Sequence, residues 1–430
     1  MAPTKTHTGS DKLKIDFAGI KSPNPYWLAS APPTNTGYQV MRAFEAGWGG
    51  AVWKTLGEPI VNVSSRYGAV NYKNIRMMGL NNIELITDRS LEENLKEMKE
   101  VKERFPDHAL IASMMFETKE EWHDCIARCE DIGVDGFELN YGCPHGMCER
   151  GMGSAVGQNP DVAEKITSWV MEKATKPVIV KLTPNITDIT AAGLAAQRGG
   201  ANAVSLINTI NSVTNINLDT MAPSPAVDGM SSHGGYCGPA VKPIALNMVS
   251  ELYNHPDFKL PISGIGGIET WRDAAEFMLM GASSVQVCTA VMHYGFRIVE
   301  DMITGMDDYL VQHNKNHVSE LTGISAQKIT RWEKLDLNYK VIASIDAEKC
   351  IGCQLCYIAC EDGAHQSIAL QANTRVPLIK DDTCVGCNLC SLVCPVDECI
   401  SMVHIDEGKP KLTWPEHPAN RHSVAGGLSR

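Results

Sequence analysis

The stretch CIGCQLCYIAC, residues 350–360, is followed by a second stretch with the same cysteine spacing, CVGCNLCSLVCP, residues 384–395. Each reads C-x2-C-x2-C-x3-C, and together they hold eight of the fifteen cysteines of the chain. Gaps of two residues let three successive thiolates surround one [4Fe–4S] cluster, while the fourth cysteine of each run reaches the other cluster. The spacing therefore predicts a small module that binds two clusters.

The crossed arrangement assigns every cysteine of the two runs to one cluster. We expect one cluster on Cys350, Cys353, Cys356 and Cys394, and the other on Cys360, Cys384, Cys387 and Cys390. This is the spacing of bacterial two-cluster ferredoxins, so we expect a ferredoxin-like α+β module. Zinc bound by paired C-x2-C thiolates is the alternative, but a zinc site does not require three cysteines in register followed by a fourth, twice over.

Two features of the module depart from the simplest pattern. Glu361 follows Cys360 where the motif usually has proline, which could alter the turn but removes no ligand. Cys399 is a ninth cysteine close to the second run, and we interpret it as a packed free thiol.

Composition and charge exclude several classes of protein. The formal net charge of −12 argues against a nucleic-acid partner, because nucleic-acid binding requires a clustered basic surface. The first sixteen residues contain no apolar signal segment, and no stretch approaches the roughly 20 apolar residues of a membrane span. We therefore expect a cytoplasmic protein without membrane contact, in which cysteines bind metal or act in catalysis and do not form disulfides.

Upstream of the module, short apolar runs alternate with longer amphipathic segments, as in repeated βα units around a parallel sheet. Eight such runs favour a closed (β/α)8 TIM barrel over an open doubly wound sheet. The runs are Tyr26–Ser30, Ala51–Thr55, Ala109–Met114, Gly136–Asn140, Val178–Leu182, Ala203–Ile207, Pro261–Gly264 and Ser284–Val287.

The sequence predicts the following domain limits. Residues 1–320 form the barrel, 321–340 a linker, 341–405 the two-cluster module and 406–430 a carboxyl-terminal tail.

Several runs end in residues with chemical functions, among them Lys54, Asn140, Lys181 and Asn208. The carboxyl ends of barrel strands form the active-site face, so these side chains should converge there. Two connections, residues 56–90 and 210–241, are long enough to be lids or binding loops.

Glycines after the seventh predicted strand indicate a phosphate site. Gly264, Gly266 and Gly267 lie in ISGIGG, and the phosphate site of a barrel is commonly built after strands seven and eight. Lys181, at the end of the fifth strand, could place its ammonium group against the N1/O2 edge of a flavin, where negative charge appears on reduction.

A set of motifs then makes a resemblance specific. ELNYGCPHGM (138–147), NNIELI (81–86), VKLTPN (180–185), INT (207–209), GGYCGPAVKP (234–243) and ISGIGG (262–267) resemble the catalytic subunits of bacterial NAD-dependent dihydropyrimidine dehydrogenases. The barrel is also similar to class 1 dihydroorotate dehydrogenases. The resemblance extends from about residue 12 to residue 405 and includes the two-cluster module, which simple dihydroorotate dehydrogenases lack.

The resemblance implies a role for individual residues. Cys143 matches the catalytic general acid/base. The residues matching pyrimidine-binding positions are Asn82, Glu84, Leu85, Ile86, Asn140, Asn208 and Thr209. The residues matching FMN-binding positions are Ser30, Lys54, Thr55, Asn140, Lys181, Gly238, Gly266, Gly267 and Thr289. Gly142 is a departure, because single-chain members of the family have serine there, and Cys148 is an additional thiol in the same loop.

The implied reaction is the reversible reduction of uracil or thymine to the 5,6-dihydropyrimidine. Hydride from N5 of FMN reaches C6, and Cys143 gives a proton to C5. Asparagine amides offer both donors and an acceptor, which suits the imide of a pyrimidine. A thiol with an ordinary pKa near 8.5 suits reversible proton transfer near neutrality.

The chain has no GxGxxG motif between a strand and a helix, so we expect NAD(H) to bind elsewhere. The resemblance implies a separate subunit with FAD and an NAD site, in a hetero-oligomer such as a heterotetramer, which sends electrons through the clusters to FMN. Two alternatives remain: a dihydroorotate dehydrogenase with an appended ferredoxin domain, and a non-catalytic electron-transfer subunit.

Overall fold

A computed structural model of the chain describes residues 8–58, 60–142 and 151–420. Contacts divide the chain into two units, Met1–Lys328 and Ile329–Arg430. The division falls within residues 321–340, where the sequence predicts a linker, and the limits of the predicted domains stay a prediction.

The first unit is built on a closed barrel of eight parallel strands that are neighbours in sequence order, which confirms the predicted fold class. The strands are β1 (Tyr26–Leu28), β2 (Gly50–Val52), β3 (Ala109–Met114), β4 (Gly136–Asn140), β5 (Val178–Lys181), β6 (Ala203–Leu206), β7 (Ile262–Ile265) and β8 (Ala282–Val287). Each overlaps a predicted run, and no boundary differs by more than three residues. Runs such as Ala109–Met114 are buried along their whole length, as parallel strands covered on both faces must be.

Each barrel strand is followed by an outer helix with an apolar face. These helices are Gly37–Ala46, Leu91–Arg104, Lys119–Asp131, Pro160–Met171, Ile189–Arg198, Lys242–Tyr253, Trp271–Leu279 and Ile298–Gln312, and the short helices Ser154–Gly157 and Thr289–Tyr294 lie in connecting segments. Side-chain caps fix several helix starts. Ser90 and Glu93 form a capping box, as do Thr118 and Glu121.

A hairpin that the sequence analysis did not predict packs at the amino-terminal side of the barrel. Its strands, Ile15–Phe17 and Ile20–Ser22, pair antiparallel. Phe17 and Ile20 are buried in one apolar cluster with Trp27, and the rings of Phe17 and Trp27 meet edge to face at 5.5 Å. This end of the barrel is therefore sealed by side chains, which leaves the opposite end for a site.

The two long connections expected as loops contain strands. Ile210–Ser212, Gly234–Cys237, Ile75–Asn82 and Tyr67–Tyr72 form one four-stranded antiparallel sheet in that order, and Asn215–Asn217 pairs with Ala222–Ser224 in a separate hairpin. The prediction of lid or binding loops was thus incomplete, because these segments are tied to each other by backbone hydrogen bonds.

The described residues of the second unit form two small antiparallel pairs, two α-helices and three short 3-10 helices. Val341–Ile345 pairs with Ile400–His404, and Ile368–Gln371 pairs with Thr374–Ile379. The helices are Leu355–Gly363 and Leu389–Leu392. Within the described residues, no helix of either unit is long and apolar enough to cross a membrane.

Candidate active site and cluster sites

A cavity of about 1140 Å³ lies at the carboxyl ends of the barrel strands, and the antiparallel sheet contributes to its wall. It is lined by the described residues that match flavin or pyrimidine positions: Ser30, Lys54, Thr55, Asn82, Glu84, Leu85, Ile86, Asn140, Lys181, Asn208, Thr209, Gly238, Gly266, Gly267 and Thr289. Gly264, expected at the phosphate site with Gly266 and Gly267, does not line the cavity, because its Cα faces Phe277 and Ala282. Cys143 and Cys148 lie outside the described residues.

The antiparallel sheet places Asn82 at the cavity. Asn82 ends the strand Ile75–Asn82, and its backbone pairs with Gly235 on one side and Tyr67 on the other. The Asn82 amide donates to the carbonyl oxygen of Gly235 at 3.1 Å. The sheet therefore fixes this amide, and one of the strands that hold it, Gly234–Cys237, is distant in sequence.

Two other asparagines, Asn140 and Asn208, orient each other. Asn208 Nδ2 donates to Asn140 Oδ1 at 3.0 Å, and Asn140 Nδ2 donates to Thr55 Oγ1 at 3.1 Å. The backbone N–H of Thr209 donates to Asn208 Oδ1 at 2.8 Å. An amide nitrogen carries two hydrogens, and among the described residues Nδ2 of each of these asparagines uses one of them.

The space beside Gly142 leaves no room for a side chain. A Cβ atom at Gly142 would lie 2.3 Å from Asn208 Nδ2 and 2.4 Å from Asn208 Cβ. The departure noted in the sequence is therefore matched by the position of Asn208, which occupies the space of a side chain at residue 142.

A buried ion pair joins Lys54 and Glu84 at the cavity. Lys54 Nζ lies 2.6 Å from Glu84 Oε1, and the two side chains are 6% and 9% exposed. Arg66 lies 3.4 Å from the same oxygen, and the Tyr67 hydroxyl donates to Glu84 Oε2. Burial, and then this hydrogen bond, raises the pKa of Tyr67, so its hydroxyl remains protonated at neutral pH and acts as a donor.

Lys181 has a carboxylate partner on the inner side of the barrel. Its Nζ lies 3.4 Å from Oε1 of Glu138, a side chain without solvent exposure. Ser205 and Gln286 each donate a hydrogen bond of 2.8 Å to the other oxygen of Glu138. The sequence analysis assigned no role to Glu138 or Gln286, because nothing in their local sequence marks them as neighbours.

The residues of the cavity fit a flavin phosphate group and ring. Gly238, Gly266 and Gly267 have φ angles of +95°, +126° and +75°, a region that favours glycine. A Cβ at Gly267 would lie 2.9 Å from the Gly238 carbonyl oxygen. Gln286 lines the cavity and is nearly fully buried, yet its Oε1 has no hydrogen-bond partner among the described residues. Glycine backbone, two ammonium groups and an unsatisfied acceptor suit a flavin mononucleotide.

Two thiols also line the cavity. Burial raises the pKa of Cys237 to about 11 and that of Cys288 to about 12. Both are therefore protonated at neutral pH, and Cys237 Sγ accepts a hydrogen bond of 3.2 Å from Thr289 Oγ1. Neither has the low pKa that a reactive cysteine requires.

In the second unit, the cysteines surround two cavities of about 320 Å³ each. Cys350, Cys353, Cys356 and Cys394 line one cavity, and Cys360, Cys384, Cys387 and Cys390 line the other. This grouping is the crossed one that the spacing predicts, and four thiols around such a cavity suit a [4Fe–4S] cluster. Cys399 is buried and also lines the first cavity.

The backbone repeats itself around the two cavities. Cys350 N–H donates to Asp346 O, and Cys384 N–H donates to Lys380 O, both at 3.0 Å. Gln354 and Asn388, each directly after the second cysteine of its run, have φ angles of +63° and +68°. The repeated spacing therefore corresponds to a repeated turn.

The helices after these turns differ in length. Leu355–Gly363 continues past Cys360, whereas Leu389–Leu392 ends before Cys394. Pro395 disfavours helical backbone at Cys394, and Glu361 imposes no such limit on Cys360. The absence of proline thus allows the first helix to continue past Cys360, and both fourth cysteines still line a cavity.

Comparisons with known proteins agree with this arrangement. The family model described as dihydroorotate dehydrogenase matches residues 12–310, and that described as a 4Fe-4S dicluster domain matches residues 343–402. The NAD-dependent dihydropyrimidine dehydrogenase subunit PreA of Escherichia coli (strain K12) is 44% identical over 367 residues, which cover 85% of this chain and 89% of the relative.

Two further relatives extend the comparison. The chloroplastic dihydropyrimidine dehydrogenase (NADP(+)) of Arabidopsis thaliana is 43% identical over 332 residues, covering 74% of this chain and 78% of the relative. The catalytic subunit of dihydroorotate dehydrogenase B (NAD(+)) of Pyrococcus abyssi is 37% identical over 314 residues, covering 73% of this chain and 99% of the relative. The resemblance stated from the motifs is confirmed.

Proposed function

The chain belongs to the dihydroorotate dehydrogenase family, and we propose that it is the catalytic, FMN- and iron–sulfur-containing subunit of a dihydropyrimidine dehydrogenase. It is an oxidoreductase that reversibly reduces the C5=C6 bond of uracil or thymine. The observation that carries the proposal is the similarity to the Escherichia coli subunit over 85% of the chain, together with the match of residues 343–402 to a 4Fe-4S dicluster domain.

The cavity offers a pyrimidine ring the polar groups that it needs. Uracil presents alternating N–H donors and carbonyl acceptors along its edge, and Asn82, Asn140 and Asn208 line one wall region with amides whose partners are defined. We propose that these amides, with Thr209, bind and orient the pyrimidine. Three amides that are already held by neighbouring groups lose little conformational freedom on binding.

FMN is proposed to bind deeper in the same cavity. Gly238, Gly266 and Gly267 would hold its phosphate through backbone N–H groups, and Lys54 and Lys181 would face its ring. When bound, FMN supplies a hydride to C6 and converts single electrons from the clusters into a pair. Ser30, Thr55 and Thr289 contribute hydroxyl groups to the same surface.

Proton transfer to C5 is proposed for Cys143, on the basis of the motif. Cys143 follows Gly142 directly, and the N–H of Gly142 donates to Asn140 Oδ1 at 3.2 Å. Asn140, at the end of β4, therefore holds the backbone as far as Gly142, the residue before Cys143. A neutral thiol donates its proton as negative charge develops at C5.

The charges of the cavity favour a neutral pyrimidine over orotate. Among the described residues that line the cavity, the cations are Lys54 and Lys181, and each has a carboxylate partner at 2.6 Å or 3.4 Å. The carboxylate of orotate would compete with Glu84 for Lys54. A dihydroorotate dehydrogenase remains the second candidate, because the family model and the Pyrococcus abyssi relative carry that name.

Electrons are proposed to come from a separate subunit that holds FAD and an NAD site, in a hetero-oligomer such as a heterotetramer. The Escherichia coli relative is named a subunit, which supports a partner. We propose that this subunit delivers electrons to the two clusters in the cytoplasm and that the clusters pass them on to FMN.

The test uses anaerobically purified protein. Its absorption spectrum should contain flavin and iron–sulfur bands, and it should turn over uracil or thymine but neither orotate nor dihydroorotate. Turnover of dihydroorotate without uracil reduction would assign the second candidate. If the protein contained the clusters but no FMN, the function would have to be that of a non-catalytic electron-transfer subunit.

A further inference from the structure

Glu138 is a fully buried carboxylate for which the proposed reaction has no direct use. It lies on β4, and its hydrogen-bond donors lie on β6 and β8. The Ser205 hydroxyl and the Gln286 amide both donate to Oε2 at 2.8 Å. Two neutral donors do not replace the hydration that an isolated buried carboxylate loses, so an opposite charge is required.

Lys181 supplies that charge. Its Nζ lies 3.4 Å from Glu138 Oε1, and this oxygen accepts no hydrogen bond from the described residues. Lys181 lines the active-site cavity, whereas Glu138 is absent from the residues that line it. Seen from the cavity, the carboxylate therefore lies behind the ammonium group.

The second lysine of the cavity is held differently. Lys54 is paired with Glu84, which itself lines the cavity. Glu84 also forms an ion pair with Arg66 and accepts a hydrogen bond from the Tyr67 hydroxyl. Glu84 can therefore act on a ligand by contact. Glu138 reaches a ligand through Lys181, through Gln286, which also lines the cavity, or through its electrostatic field.

We propose that Glu138 is a positioning residue that holds the Lys181 ammonium group at the N1/O2 edge of FMN and offsets part of its charge, so that Glu138 sets the reduction potential of bound FMN. The inference rests on the proposed function, because it requires FMN in this cavity. Two-electron reduction with one proton taken from solvent at N5 places a negative charge on the N1/O2 edge. Lys181 stabilises this charge, and Glu138 opposes it.

The test is a reduction potential and not an activity. Glu138→Gln keeps the shape of the side chain and an oxygen that can accept from Ser205 and Gln286, but it removes the charge. FMN should remain bound, and its potential should become more positive. At a fixed solution potential, the ratio of reduced to oxidised FMN should rise roughly tenfold, as expected for one unit charge near a partly buried site. Anaerobic titration against a reference dye measures this ratio.

Repeating the substitution in a Lys181→Gln chain separates an effect of Glu138 that acts through Lys181 from an effect that acts on FMN directly. In a Lys181→Gln chain, Glu138 has no ammonium group left to hold. Adding Glu138→Gln should then change the potential little. Ser205→Ala is the matched control, since it removes one neutral hydrogen bond and keeps both charges, and it should shift the potential less than Glu138→Gln does.

If Glu138→Gln fails to fold or to bind FMN, Glu138→Asp provides the same comparison. This variant keeps the negative charge but moves the carboxylate away from Lys181 by the length of one methylene group. The reduction potential of FMN should therefore shift in the same direction as in Glu138→Gln, but by a smaller amount. An unchanged potential in an FMN-loaded Glu138→Gln chain, or the same shift in both backgrounds, would overturn the proposal. Uracil reduction by the unaltered protein tests the proposed function separately, because it involves no Glu138 variant.

Discussion

The active-site cavity and the cluster module hold their cofactors with different kinds of residues. In the cavity, the polar groups come from positions between Ser30 and Thr289 and are held by strand ends and by each other. In the module, each predicted set of four ligands takes three of its thiols from a seven-residue run, Cys350–Cys356 or Cys384–Cys390. Many weak contacts therefore hold the flavin, whereas four covalent bonds hold each cluster.

The difference predicts two classes of variant. A substitution in the cavity should change the chemistry and leave the cofactors bound, because no single contact is essential for binding. A substitution of a cluster cysteine should remove a cofactor outright.

The largest expected effect comes from Cys143→Ala. Loss of the proton donor should lower pyrimidine turnover by roughly 10²–10⁴-fold, the usual range for a general acid or base. FMN and iron content should stay at the level of the unaltered protein, as measured by absorption spectra and iron analysis.

Cys148→Ala is the control for that variant, because it removes a thiol from the same loop, and its turnover should change little. A reversed result, with Cys148 essential and Cys143 dispensable, would show that the proton donor is wrongly assigned.

Cys394→Ser tests the crossed ligand sets of the module. It should damage the cluster on Cys350, Cys353 and Cys356, and the cluster on the other cysteines should assemble. EPR of the reduced protein distinguishes the two clusters. Loss of the cluster associated with Cys384–Cys390 would refute the crossed arrangement.

Cys399→Ser is the matched control in the module. Cys399 lines the same cavity, but its Sγ lies 3.7 Å from the Asp346 carbonyl oxygen, a contact that suits a packed thiol. Both clusters should assemble in this variant. If Cys399→Ser removed a cluster while Cys394→Ser did not, the fourth ligand would have to be reassigned.

Gly142→Ser should have the smallest effect of the three. Its Cβ would meet Asn208 at 2.3–2.4 Å, so the amide of Asn208 must move. We expect the KM for uracil to rise by roughly tenfold, which corresponds to about 1.4 kcal/mol, with FMN content unchanged. Steady-state kinetics measures the change.

Gly363→Ser is the control, because it makes the same substitution at a position with space for a side chain. A Cβ at Gly363 would lie 3.6 Å from Leu389, which is an ordinary contact distance. Its KM should equal that of the unaltered protein. An unchanged KM in Gly142→Ser would mean that Asn208 does not bind the pyrimidine in the described orientation.

Local patterns predicted the barrel strands and the cysteine groups. Ala109–Met114 is recognisable because a strand buried on both faces must be continuously apolar. The turns at Gln354 and Asn388 follow from a repeated cysteine spacing. In both cases the residues that determine the structure are close together in the chain.

Long-range pairing could not be predicted in the same way. The strand Ile75–Asn82 has its partner at Gly234–Cys237, and neither segment alternates in polarity as a half-buried strand usually does. The contact between Glu138 and Lys181 depends on adjacent strands of a closed barrel. Such neighbours become visible only when the register of the strands is known.

The most direct test of the account is reduction of uracil by the purified chain alone with a reduced viologen, compared with NADH. A small one-electron donor needs only access to the clusters or FMN, so viologen-dependent reduction should be robust and NADH-dependent reduction almost absent until a flavoprotein subunit is added. Strong NADH-dependent uracil reduction by this polypeptide alone would contradict the account, because it would require a nicotinamide site within the chain.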